Sequence, residues 1–157
     1  MDILVTKKIN ASKESVWRHL SEFENIHKFH PLLKTSGYVE GSCDHTPGAT
    51  RQCDMVDGSY LKERIVDWQE NSHYSIEVYE TSLPVSSSKA TLGVNKIDSE
   101  HSIAYMHIQL KSKHALLTPF LYLAFRFYAG PAILSGLRKI SETILFADSD
   151  FEMQTSS

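Results

Sequence analysis

Hydrophobic residues change their spacing along this chain, and each change marks a new kind of structure. Residues 2–9 alternate between apolar and polar side chains, which predicts a half-buried strand. After Ser12, a residue suited to cap a helix, apolar side chains recur with helical spacing at Val16 and Leu20. This helical region ends before Pro31, because a residue that precedes proline is forced out of the α conformation. One strand and two short helices are therefore predicted at the start of the chain.

Six further strands are predicted after these helices, because six alternating runs follow one another with short turns between them. They cover residues 33–40, 50–56, 60–69, 73–81, 89–97 and 102–111. Short connections between successive strands favour an antiparallel meander. The chain then becomes helical, with an apolar stripe at Ile133, Leu137, Ile140 and Ile144.

These elements predict an α+β fold in which a curled antiparallel sheet of about seven strands surrounds one long C-terminal helix. A sheet of this length curls, and its concave face needs a cover that only the last helix can supply. Space between the sheet and that helix suggests an internal cavity. Residues 1–147 are predicted to form this single domain, and residues 148–157 are expected to be a disordered polar tail.

Composition and charge narrow the classes of function. The chain has 157 residues, of which 41% are hydrophobic and 22% are charged, the balance of one soluble domain. A net charge of −3 argues against a nucleic-acid-binding protein, which normally carries a basic surplus. The N-terminus lacks the pattern of a signal peptide, and two cysteines do not make a disulfide framework. A cytoplasmic protein with reduced thiols at Cys43 and Cys53 is expected.

Residues 116–137 form a stretch that is long and apolar enough to span a bilayer. Its single charge, Arg126, would lie at mid-depth, where a charge is costly, and Pro119 interrupts the helix. A buried or lid-forming helix is therefore expected instead. Residues 116–128 also allow a transient contact with a membrane surface.

Three stretches of the chain resemble the START-like helix-grip superfamily. The opening of that superfamily is similar to INASKESVWRHLSEFENIHKFHPLL, and its middle is similar to GSYLKERIVDWQENSHYSIEVYETSLPVSSSKATLGV. The close of its last helix is similar to LSGLRKISE. Together the resemblance covers residues 3–146, and the nearest branch is the polyketide cyclase/dehydrase and lipid-transport group.

The resemblance implies a helix-grip fold with an internal cavity, in a superfamily whose members are carriers, receptors and cyclases. Plant abscisic-acid receptors and birch-pollen-allergen proteins are relatives of this branch. The chain departs from the pattern at His30, where the family usually has a second tryptophan. It also has residues 56–59, VDGS, in place of the receptors' gate-loop sequence, so a hormone receptor is not expected.

Three charged residues are candidates for a polar end of the cavity. Alternation places Glu63 between Leu61 and Ile65 on an apolar face, where a carboxylate is desolvated unless a cation compensates it. Arg51 is expected to face inward as well. Lys34 is similar to a pocket lysine of the abscisic-acid receptors that meets the ligand's carboxylate, and Glu63 matches a glutamate lining that pocket. Such an end would suit an acid or a polar head group, whereas the alternative is a structural ion-pair network.

Apolar side chains are expected to form the other walls of the cavity. The strand positions are Tyr74, Ile76, Val78, Ala90, Leu92 and Ile108, and the helix positions are Leu123, Phe127, Ile133 and Leu137. Each strand group shares one face by alternation. Ordinary core packing is the alternative role for every one of them.

The preferred hypothesis is a protein that binds or carries a small hydrophobic ligand, such as a lipid, isoprenoid or aromatic metabolite. The alternative is an enzyme of the polyketide cyclase or aromatase type, in which Glu63 moves protons and Lys34 or Arg51 stabilises an enolate. A third hypothesis is a protein-interaction module that uses residues 120–128.

No cofactor and no metal are expected from the motifs of the chain. His27 and His30 have the i, i+3 spacing of helical ligands, but no third ligand accompanies them. No phosphate-binding, serine-hydrolase or zinc-protease motif occurs. A homodimer is left open by the sequence.

Overall fold

Seven strands form one antiparallel sheet in the computed structural model, which describes the backbone of residues 1–155 and, from residue 144 onward, no side chain except that of Met153. The strands are β1 Asp2–Ile9, β2 Leu33–Val39, β3 Thr50–Met55, β4 Tyr60–Gln69, β5 His73–Thr81, β6 Val85–Lys96 and β7 Ser102–Ser112. Their order in the sheet is β1-β7-β6-β5-β4-β3-β2. The meander is thus completed by β1, which returns to pair with the last strand.

Helical segments occur at the two places that the sequence predicts. They are α1 Lys13–Leu20, a 3₁₀ helix Phe23–Lys28, a 3₁₀ turn Ala115–Leu117, α2 Thr118–Ala124, a π-helical segment Phe125–Ala129 and α3 Gly130–Thr155. Ser12 caps α1, because its Oγ accepts a hydrogen bond of 3.2 Å from the Ser15 backbone N–H. The predicted α+β helix-grip fold, with two short helices after the first strand, is confirmed.

Irregular register bends the sheet around the last helix. The pairing of β4 with β5 shifts on either side of the segment from Glu63 to Ile65, and the pairing of β2 with β3 shifts after Leu33. Such bulges increase the local twist and bend a strand. The concave face that results is covered by α3, whose buried side chains include Ile133 and Leu137.

Two glycines allow α3 to approach its neighbours closely. A β-carbon at Gly136 would overlap the carbonyl oxygen of Phe29, and one at Gly130 would crowd the side chain of Val5. The absence of a side chain at both positions therefore fixes how α3 lies against the first part of the chain. The space left between this helix and the strands is the cavity described below.

Two segments differ from their predicted bounds. β6 begins at Val85 rather than at residue 89, because Val85 is buried and Ser88 pairs with Leu110 of β7, so the serine run belongs to the strand. α3 continues to Thr155, into the predicted tail 148–157. The side chain of Ile144, assigned to the apolar stripe, lies outside the described residues, and the domain boundary at 147 stays a prediction.

One helical stretch of the described chain, Ala115–Thr143, is long and apolar enough to cross a membrane by length and composition. Its second half belongs to α3 and contributes to the core through Ile133, Leu134 and Leu137, as expected for a helix that covers a sheet. Its first half carries exposed apolar side chains. Five of them are at least half exposed: Leu116, Phe120, Leu123, Phe127 and Tyr128.

Candidate functional site

A cavity lies between the concave face of the sheet and the start of α3. Its inner chamber has a volume of about 100 Å³ and is walled mainly by apolar side chains of β4 to β7. These are Leu61, Ile76, Val78, Ala90, Leu92, Met106, Ile108 and Leu110. Because β-strand side chains alternate between faces, each strand contributes every second residue to this wall. Ile133 of α3 and Phe125 of the π-helical segment close the chamber from the other side.

An outer chamber of about 240 Å³ adjoins the inner one. Its additional walls come from β2, β3, the β5–β6 turn and the helical segments that precede α3. They include Leu33, Cys53, Met55, Pro84, Leu121, Ala124 and Tyr128. Pro84 and Tyr128 are both exposed, so the outer chamber reaches the surface between the β5–β6 turn and the helix. The cavity therefore has an apolar interior with a mouth on this side of the molecule.

A buried ion pair joins β3 to β4 where the two chambers meet. Arg51 and Glu63 are directly opposite in the strand register, and Arg51 Nε donates to Glu63 Oε2 over 2.6 Å. The guanidinium also donates through Nη1 to the Phe23 carbonyl over 2.7 Å and lies 4.1 Å from the centroid of the Phe23 ring. Only 1% of the Arg51 side chain is exposed. The guanidinium of Arg51 is thus held by a carboxylate, a carbonyl and an aromatic face together.

Arg51 stays charged and Cys53 stays neutral at neutral pH. Burial is the largest single influence on the pKa of Arg51 and would lower it, but the Glu63 carboxylate together with the neighbouring Cys53 and Tyr74 raises it overall. Cys53 Sγ lies 3.7 Å from Glu63 Oε2 and donates to it. Burial, and then the Glu63 charge, raises the pKa of the Cys53 thiol to about 12. The thiol therefore remains protonated and is not a nucleophile at neutral pH.

His30 is the third polar group at the junction, and it lines both chambers. Burial, followed by the positive charge of Arg51, lowers its pKa to about 4, so the imidazole is neutral at pH 7. Nδ1 accepts a hydrogen bond of 3.3 Å from the Leu32 backbone N–H, which assigns the ring proton to Nε2. No residue that the structure describes is bonded to this Nε2–H.

The comparison with known protein families identifies the group to which the chain belongs. The family described as polyketide cyclase/dehydrase and lipid transport matches residues 2–144. This chain is a member of that family. No curated protein matches it. The resemblance inferred from the sequence is therefore confirmed, and the family description includes both enzymes and lipid carriers.

Solved structures share the fold of this cyclase/dehydrase and lipid-transport domain. A Thermobifida fusca protein is 21% identical, with coverage of 89% of this chain and 92% of that chain and a TM-score of 0.77. A START superfamily protein from Mycobacterium smegmatis is 13% identical, with coverage of 91% and 98% and a TM-score of 0.75. A protein from Bacillus thuringiensis is 17% identical, with coverage of 90% and 98% and a TM-score of 0.77. At these identities the likeness shows the fold alone.

Most of the residues predicted for the site lie in the cavity of the domain. They are Arg51, Glu63, Ile76, Val78, Ala90, Leu92, Ile108 and Ile133. All but the last are strand residues whose orientation follows from alternation. The structure therefore brings together one cation, one carboxylate and a set of apolar walls.

Three of the predicted residues lie at the surface. Lys34 is exposed, because it follows the buried Leu33 at the register shift of β2 and its side chain is turned outward. Leu123 and Phe127 are 53% and 66% exposed. The face of the helix that lines the cavity carries Leu121 and Phe125 instead. Apolar side chains surround this helix, so periodicity could not identify its inner face.

Two further predicted residues belong to the core beyond the chambers. Tyr74 is fully buried and stacks on Trp68, with 5.1 Å between ring centroids. Phe23 packs edge-on against the same tyrosine ring. Leu137 is 1% exposed, one helical turn after Ile133 and past the end of the cavity. Both contribute to packing rather than to the walls.

His30 is the main cavity residue that the sequence analysis did not assign to the site. It could have been identified from the sequence, because a histidine stands here at a position where the superfamily that the chain resembles usually has tryptophan. A polar ring at an otherwise aromatic position needs a polar partner or an accessible space. Leu83 and Val85 were also missed, because the turn before β6 was placed outside the sheet.

Removal of Arg51 should destabilise the protein severely. Arg51→Met leaves the Glu63 carboxylate without its cation, and breaking a buried pair in this way costs roughly 3–5 kcal/mol. The free energy of unfolding from urea titration measures the loss. The control is Lys62→Met, which breaks an exposed pair between Lys62 of β4 and Glu80 of β5 and should cost far less. Equal losses of unfolding free energy in the two variants would contradict the conclusion that Arg51 and Glu63 form a buried ion pair.

The neutral state of His30 should make folding sensitive to acid. Its pKa falls from the usual 6.5 to about 4 on folding, so the unfolded chain binds a proton first as the pH drops. The stabilisation that this group contributes above pH 6.5 is lost progressively as the pH falls to 4, with roughly 2 kcal/mol lost between pH 7 and pH 5. His30→Asn should remove this part of the pH dependence of the unfolding free energy. His114→Asn, at an exposed position, is the control and should leave it unchanged.

Proposed function

We propose that this domain binds and carries a small hydrophobic ligand in the cavity between the sheet and α3. The observation that supports this most directly is the pairing of an apolar, two-chambered cavity with a single polar cluster at its centre. Ligand sites of small molecules commonly have this composition, in which apolar walls supply affinity and a few polar groups supply orientation. The lipid-transport part of the family description agrees with such a role.

The size and form of the cavity favour an elongated ligand. The inner chamber of about 100 Å³ holds only a short segment of a molecule, so a ligand would extend into the outer chamber of about 240 Å³. Apolar contact contributes roughly 25 cal/mol for each Å² removed from water, before the cost of ordering. The ligand would place its polar group beside Arg51, Glu63 and His30, where the two chambers join.

The exposed apolar side chains beside the mouth support ligand exchange at a membrane surface. Phe120, Leu123 and Phe127 project from the same helical segments that line the outer chamber through Leu121 and Phe125. Contact of these side chains with lipid would offset the cost of exposing them and bring the mouth to the bilayer. A cytoplasmic location agrees with the two free cysteines, one exposed and one buried.

The alternative of a cyclase or aromatase receives less support from the site. In the mechanism considered for it, Lys34 or Arg51 stabilises a developing enolate, whereas Arg51 is already engaged by Glu63 and by the Phe23 carbonyl. Lys34, the other candidate, is at the surface. A protein-interaction module would call for a filled interior, in contrast to the two chambers found between the sheet and α3.

Filling the inner chamber should weaken the binding of an apolar probe. In Ala90→Trp the indole occupies the space beside Leu92 and Ile108, so we expect the uncharged fluorophore N-phenyl-1-naphthylamine to bind at least ~10-fold more weakly, about 1.4 kcal/mol. The control is Asn95→Trp, at an exposed position of the same strand. Fluorescence titration of both variants and the wild type measures the difference. No binding to the wild type, or equal binding to all three, would overturn the carrier proposal.

Membrane contact should depend on the apolar side chains beside the mouth. Phe120→Glu combined with Phe127→Glu adds two carboxylates to this surface and should reduce binding to phosphatidylcholine vesicles at least ~10-fold in a flotation assay. Val56→Glu, an exposed apolar position in the β3–β4 turn, is the control. Vesicle binding that is absent in the wild type, or unaffected by the double change, would show that these residues do not contact a membrane.

A further inference from the structure

The polar cluster at the junction of the chambers contains one full positive and one full negative charge. Arg51 directs Nε to Glu63 and Nη1 to the Phe23 carbonyl, so two of the five N–H donors of its guanidinium are paired within the protein, and only 1% of the side chain is exposed. Lys34, the other cation predicted for the site, is on the surface. A ligand that reaches this cluster therefore meets a region whose charges already balance.

Besides the remaining N–H groups of Arg51, the cluster has hydrogen-bonding groups on Glu63 and His30 for a ligand. Glu63 uses Oε2 for both Arg51 and Cys53, and its other oxygen, Oε1, is bonded to none of the residues that the structure describes. The tautomer of His30 fixed by the Leu32 N–H likewise leaves Nε2–H without a partner in the described chain. Both residues line both chambers. Glu63 and His30 thus offer one acceptor and one donor.

We infer that the ligand of this cavity carries an uncharged hydroxyl group, as in a long-chain alcohol or a phenol, which donates to Glu63 Oε1 and accepts from His30 Nε2–H. A hydroxyl is a donor and an acceptor at once, so one small group satisfies both sites. This inference rests on the proposed function of the cavity. It replaces the expectation of an acidic head group, which depended on Lys34 facing inward.

Charged head groups fit the cluster less well. A carboxylate accepts but cannot donate, so it would leave Glu63 Oε1 unpaired and place a second buried anion beside the first. An alkylammonium would pair with Glu63, but it would crowd Arg51 and direct a donor at the donor of His30. The neutrality of His30 at pH 7 removes the extra positive charge that a carboxylate would need.

The test compares three molecules with the same chain and different ends. Decan-1-ol, decanoate and decylamine each displace N-phenyl-1-naphthylamine from the wild-type protein at pH 7.5, and the displacement curves give relative affinities. We expect decan-1-ol to bind at least ~10-fold more tightly than either charged molecule. Decanoate or decylamine binding as tightly as the alcohol would overturn the inference while leaving a hydrophobic-ligand carrier intact. If the probe does not bind at all, both the carrier and the hydroxyl ligand are ruled out.

Substitution of His30 tests whether a preference for the alcohol depends on the Nε2–H donor of this residue. His30→Phe keeps an aromatic ring and removes Nε2–H, so the affinity for decan-1-ol, measured relative to that for the probe in the same variant, should fall about 5- to 10-fold. His114→Phe is the matched control at an exposed position. Glu63→Gln provides the second variant, with circular dichroism to verify its fold, and should also reduce the preference for the alcohol. An unchanged affinity for decan-1-ol in His30→Phe would contradict the role of His30.

Discussion

The ion pair between Arg51 and Glu63 is the constraint on which the cavity depends. Two charges cannot remain in an apolar interior unless they are paired and hydrogen-bonded, and here the cross-strand register places them opposite each other. The bond from Arg51 to the Phe23 carbonyl extends the same constraint to the 3₁₀ helix before β2. Arg51 and Glu63 line both chambers, so the pair forms a polar boundary where the two chambers meet.

The parts of this arrangement that depend on strand periodicity could be predicted from the sequence. Side chains alternate strictly along a strand, so the inward orientation of Arg51, Glu63 and Ile76 followed from their positions alone. The meander of the later strands could also be predicted, because each run of alternation ended in recognisable turn residues, whereas the pairing of β1 with β7 was not predicted. The closing helix was predicted as a cover, since a curled sheet leaves an apolar face that must be buried.

The other features of the site depend on local geometry that the spacing of apolar residues along the chain does not reveal. The register shift beside Leu33 puts Lys34 at the surface, and bulges are not visible as a spacing of apolar residues. The helix before α3 is apolar on all sides and includes a π-helical segment, so its inner face could not be read from the positions of Leu123 or Phe127. The charge and the tautomer of His30 are set by its burial and by the Leu32 amide. Both are properties of the folded surroundings, so the sequence alone could not reveal them.

Binding inside the cavity is tested most directly by detecting contacts between a bound alcohol and the isoleucine methyl groups. Nuclear Overhauser effects would be recorded between decan-1-ol and a sample labelled at the isoleucine δ1 methyls. We expect contacts to Ile76, Ile108 and Ile133, which line the cavity, and none to the exposed Ile97 and Ile103. Contacts to the exposed methyls alone, or none to the cavity methyls at saturating alcohol, would contradict an internal hydrophobic binding site.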